Sequence, residues 1–130
     1  MFFFGKKKNN KEKKKLEIEP EINKEELLKR AEELKAKLKD TQDKAEKTKI
    51  LNEIGCCYFK AEEKDQAIYY YEQSLEEDKQ LGKAYTDLLK LYNQKRQEAA
   101  QEKDDEKLQE YMDKVQGLMQ LSKDVIRGKV

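Results

Sequence analysis

From Asn23 onward apolar residues return at three- and four-residue steps, the spacing that gathers them on one face of an α-helix. Leu27, Leu28, Ala31, Leu34 and Leu38 form the first such stripe and predict a helix over 24–39, with Asn23 as N-cap and Glu25 and Glu26 in its first turn. Polar residues 39–43 interrupt the pattern, and Ile50, Leu51, Ile54, Cys57 and Tyr58 then predict a second helix over 42–61. Ala67, Ile68, Tyr71 and Leu75 mark a third over 65–78. Leu81, Ala84, Tyr85, Leu88, Leu91 and Tyr92 mark a fourth that reaches residue 102. Asp104 and Asp105 can cap a last helix whose stripe is Leu108, Tyr111, Met112, Val115, Leu118, Met119 and Val125, ending before Gly128. No stretch alternates apolar with polar residues, so the class is all-α: five helices whose short connections favour antiparallel hairpins.

Composition agrees with long amphipathic helices. Charged residues make up 44% of the 130-residue chain and apolar ones 36%, with a single proline. A chain of this length fits one domain. Residues 1–22 stand apart and read as a flexible basic arm, leaving 23–130 as the helical domain. The net charge of +1 conceals a separation, because residues 1–15 hold seven Lys against one Glu. A basic arm on a mildly acidic body suits an anionic surface, and equally a solvated tail.

No apolar run approaches the roughly 18 residues that a membrane span needs, and MFFFGKKK has its apolar and basic parts in the wrong order for a secretory signal. Cys56 and Cys57 are neighbours on a helix, where their side chains diverge by about 100° and pair poorly. With no His and only these two Cys, a zinc site is not expected. Reduced thiols fit a cytoplasmic protein.

The stretch LNEIGCCYFKAEEKDQAIYYYEQSLEEDK, from Leu51, resembles the tetratricopeptide repeat in its order of a large residue, Leu-Gly, Tyr, and then Ala and an aromatic. Its slots hold Leu51, Ile54, Gly55, Tyr58, Ala67 and Tyr71; Leu51 stands in place of the common Trp, and Lys79 where a proline usually closes the repeat. Gly55 and Ala67 are small where two antiparallel rods approach, and Tyr58 and Tyr71 fill the space beside them. Moving about 34 residues onward, the family period, carries Leu51 to Tyr85, Ile54 to Leu88 and Tyr58 to Tyr92, but Gly55 to Leu89. The next helix returns to register only after an insertion of roughly seven to ten residues. The resemblance covers residues 48–95 well and implies a solenoid fragment of one full and one half repeat. Because at least about three repeats normally make a free-standing solenoid, self-association or a larger assembly is expected.

The resemblance also implies a role. Family members bind peptides in a groove lined by the first helix of each repeat, which by position comprises Lys49, Asn52, Cys56 and Phe59, then Lys83, Thr86, Lys90 and Asn93. Three lysines on one groove imply an acidic or C-terminal peptide segment as ligand. The clamp that grips chaperone tails is not matched, since its positions hold Asn52, Cys56 and Asp87. Without His or a Gly-rich phosphate loop, and with only scattered surface carboxylates, no enzyme and no cofactor are expected. The leading expectation is a non-catalytic protein-binding adaptor. The alternative is a peripheral membrane-recruitment factor at the inner face of the membrane, in which Phe2, Phe3 and Phe4 dip into the interface and Lys6, Lys7 and Lys8 meet anionic headgroups. Nucleic acid is not an expected partner, for the body is acidic and offers no basic recognition helix.

Overall fold

The computed structural model describes residues 23–128. The arm expected over 1–22, with Phe2, Phe3, Phe4, Lys6, Lys7 and Lys8, lies outside the described residues. Within them the chain forms five α-helices and no strand: α1 Lys24–Lys39, α2 Lys44–Lys60, α3 Lys64–Glu77, α4 Lys83–Glu102 and α5 Asp105–Ile126.

Local chemistry sets these limits. The side chains of Asn23, Asp43 and Asp104 accept hydrogen bonds from the backbone N–H groups of Glu26, Glu46 and Lys107, at 2.8, 3.0 and 3.1 Å. Each satisfies one of the orphaned donors at a helix start. Two turns reverse the chain through left-handed residues, Glu62 with φ 63° and Lys103 with φ 58°. The following amides, of Glu63 and Asp104, return to the carbonyls of Tyr58 and Ala99 at 2.9 Å, closing the helix ends. Leu81, expected at the start of the fourth helix, instead lies exposed in the linker before Lys83. Its neighbour Gly82 interrupts the pattern.

Each helix packs on the next, and α2 additionally touches α4. Between α2 and α3, Asn52 pairs with Ser74 while Gly55 meets Tyr71. A step up one helix is a step down the other, so the pair is antiparallel. Between α3 and α4, Asp65 pairs with Lys95 and Tyr71 with Asp87, in the same sense. One core runs through the stack, from Ala31 and Leu34 through Ile50, Ile54 and Tyr71 to Leu88, Leu91 and Leu118.

A close approach occurs at Gly55. A Cβ built there would lie 2.7 Å from Cδ1 of Tyr71, inside the contact limit of carbon atoms. Glycine therefore lets the α2 backbone rest on the ring. Ala67, one turn before Tyr71, is fully buried, and Tyr58 and Leu51 are buried beside it.

The last helix departs from expectation. Of its seven-residue stripe only Tyr111 and Leu118 are buried, whereas Met112 and Met119 are exposed. The stripe is wider than one neighbouring helix covers, and α4 is the main neighbour α5 has.

Candidate partner-binding face

The face shared by α2 and α4 is built from the bottom by one buried acid. Asp87 lies in the apolar stripe of α4, between Ala84 and Leu88, and is only 4% exposed. A carboxylate in such a place needs partners. It accepts a hydrogen bond from the Tyr71 hydroxyl at 2.7 Å, and its oxygen lies 3.1 Å from Nζ of Lys83, one turn earlier on the same helix.

The Tyr71 hydroxyl is pushed far above the usual tyrosine range, first by burial and then by Asp87. The Lys83 ammonium is held above its ordinary value by its bond to Asp87. The Ser74 hydroxyl of α3 donates to Asn52 of α2, so with the Tyr71–Asp87 bond a polar line crosses α2, α3 and α4.

Around that line the residues expected in a groove divide into two sets. Asn52 and Lys83 line one small cleft, so the structure brings these two together. The Asn52 oxygen is already used, accepting from the Ser74 hydroxyl. Phe59 sits half-buried at a second recess of about 330 Å³, with Leu91 and Gln94 of α4 on its other wall. Asn93 donates to the Leu89 carbonyl at 3.1 Å, and the Thr86 hydroxyl to the Gly82 carbonyl at 3.1 Å. Lys49 and Lys90 are exposed, and neither makes an ion pair among the described residues. Of the three lysines, one is thus a structural partner of Asp87 and two are uncommitted.

The residues expected to pack a repeat lie mostly in the core. Leu51, Ile54, Gly55, Tyr58, Ala67, Tyr71, Leu88 and Tyr92 are all buried, and Tyr85 is half-buried. Tyr58 stacks on Tyr70 with ring centroids 5.8 Å apart, and Tyr92 meets Tyr111 at 6.0 Å. A lysine lies over two of these rings, Lys35 at 5.3 Å from Tyr58 and Lys114 at 5.5 Å from Tyr92. Compared with known proteins, the chain matches no protein-family model, no curated protein and no solved structure.

Sequence reasoning missed two polar anchors besides Asp87. Glu72 accepts from the Tyr92 hydroxyl and from Lys114, the latter at 3.0 Å, joining α3 to α4 and α5. Glu98 is paired with Lys64, which holds its carboxyl below the usual range, and Lys95 links Glu98 to Asp65. A signal for Asp87 was present: an acid one step from Leu88 and one turn from Ala84 and Leu91 cannot avoid the core. Glu72 and Glu98 carried no such mark, because both lie on faces that look solvated until α5 and α3 are in place.

Among the described residues no group of three or more His, Cys, Asp and Glu side chains lies close enough to hold a metal ion. No helix among them is long and apolar enough to cross a membrane. Cys56 and Cys57 are both free thiols, and burial raises the Cys57 thiol above its ordinary value.

Proposed function

We propose that this chain is a non-catalytic protein-interaction module, a tetratricopeptide-like helical hairpin with its flanking helices, that binds an acidic peptide segment across α2 and α4. The observation that carries the reading is that Lys49 of α2 and Lys90 of α4 stand exposed and uncommitted on two helices that touch, while a bonded cluster of Tyr71, Asp87 and Lys83 joins α3 to α4. Neither ammonium has an internal partner to give up among the described residues, so both are free to bond an arriving carboxylate. Phe59, half-exposed beside Leu91, offers an apolar contact for a side chain of the same peptide.

The repeat reading is supported by the contact of Gly55 with Tyr71, by the adjacency of α2 and α4, and by the recurrence of a buried, ring-paired tyrosine at Tyr58 and Tyr92. The second ring partner, Tyr111, follows Tyr70 by the repeat period of about 34 residues plus about seven, the size of insertion that the sequence asks for.

Fluorescence anisotropy with acidic peptides of varied C-terminus tests the proposal. Lys49→Glu combined with Lys90→Glu is expected to weaken the best peptide at least about tenfold, about 1.4 kcal/mol. Lys44→Glu with Lys107→Glu, the same change in charge elsewhere, is expected to leave affinity within about twofold at moderate salt. Equal losses in both pairs would reduce the effect to bulk charge and remove the face from the account.

A second reading rests on the sorting of charge, with +6 over residues 1–15. In it the arm brings the helical body to an anionic membrane surface. Sedimentation with anionic vesicles at low salt, lost on deletion of residues 1–15, supports it; sedimentation unchanged by the deletion removes it.

A further inference from the structure

We infer that the outer face of α5 is a self-association surface, on which a second copy of the chain lays its own α5 antiparallel to the first. Three large apolar side chains stand exposed on this helix: Met112 at 38%, Met119 at 54% and Ile126 at 75%. They are seven residues apart, so they fall within about 20° of one line along the helix, a seam about 21 Å long. Half-buried Val115 and Ser122 lie between them on the side nearer the core. Tyr111 and Leu118 point inward, toward α4, and no other helix among the described residues packs on the outer side. A seven-residue apolar seam suits another helix better than an extended peptide.

Charge selects the occupant. Before Met119, α5 carries Asp105, Glu106, Glu110 and Asp113 against Lys107 and Lys114, while beyond it Lys123 and, just past the helix end, Arg127 stand against Asp124. Lys114, which could offset the acids, is drawn inward to Glu72. A second α5 turned about a two-fold axis at Met119 sets Met112 against Ile126 and places Asp113 beside Arg127 of the other copy. The opposed helix dipoles also favour this arrangement. A parallel copy would set acid against acid, and an anionic lipid surface would meet the acidic half. The patch is thus complementary to itself, as a two-fold interface requires. The seam is short, so the dimer belongs to the weak class of small interfaces.

Sedimentation equilibrium of the full chain, from dilute to concentrated solution, reads the outcome. The average mass is expected to climb from 15.5 kDa toward twice that value. Met119→Glu is expected to hold it at 15.5 kDa with an unchanged far-ultraviolet helix signal. Asp113→Arg and Arg127→Asp are each expected to weaken association, and the double variant to restore it, which a purely structural role could not do. A wild-type chain that stays monomeric at every concentration would overturn the inference, as would a dimer indifferent to Met119→Glu. So would a monomer that sediments with uncharged vesicles through Met119, for the face would then belong to lipid.

Discussion

Asp87 and Tyr71 are where the fold and the proposed face depend on the same atoms. Replacing Tyr71 with Phe removes the hydroxyl that Asp87 accepts from and leaves Lys83 as its partner. Destabilisation of about 1–3 kcal/mol is expected, read as a lower urea midpoint with an unchanged slope. An unchanged midpoint would mean that the hydroxyl does not support the acid. At Gly55, alanine gains helix propensity of about 1 kcal/mol but places Cβ against the Tyr71 ring, where overpacking costs about 1–3 kcal/mol. The balance is destabilising, and a thermal melt of Gly55→Ala that rises instead of falling would contradict the close approach. Glycine in the middle of a helical stripe announced that approach in the sequence. The charge state of the face was less legible: three lysines looked alike, and only Asp87, seen in place, separates Lys83 from Lys49 and Lys90.

Helix limits were the most legible feature of the chain, because stripes and caps agreed. Asn23, Asp43 and Asp104 each combine a capping side chain with a periodic run that begins just after it. The starts of α3 and α4 have no side-chain cap and are set by the turns before them. The α4–α5 turn keeps Lys103 at a left-handed φ of 58°, which glycine adopts without steric penalty. Lys103→Gly is expected to stabilise the chain by about 0.5–1 kcal/mol, the relief of strain exceeding the entropy added to the unfolded chain. A lower melting temperature would indicate that the lysine side chain contributes more than the backbone strain removes. The last helix was misjudged in one respect, since periodicity records which side chains share a face but not how much of that face a neighbour covers. Met112 and Met119 belonged to the stripe and yet remain outside.

Across the molecule the stack is joined by tyrosines whose burial opposes ionisation in place. Tyr71, Tyr92 and Tyr111 are all raised above the ordinary value of 10, chiefly by burial. In the unfolded chain they ionise near that value, so the folded state holds more protons above it. Stability is therefore full below pH 10 and falls as pH rises beyond it. Helix signal and tyrosinate absorbance, followed together through an alkaline titration, are expected to show these rings ionising only as the helices melt. Ionisation of all the tyrosines while the helices persist would contradict their burial.

The all-helical architecture was readable because each helix announces itself locally. The side-by-side placement of α2 and α4 was not readable locally, as nothing near either residue in the chain connects Asn52 with Lys83. That placement is also what the proposed function requires most. Amide chemical-shift mapping of the labelled full chain, titrated with an acidic peptide, tests it directly. The account predicts saturable shifts that cluster at Lys49, Asn52, Cys56, Phe59, Lys83, Thr86, Lys90 and Asn93. No saturation, or shifts centred on α5 instead, would contradict it.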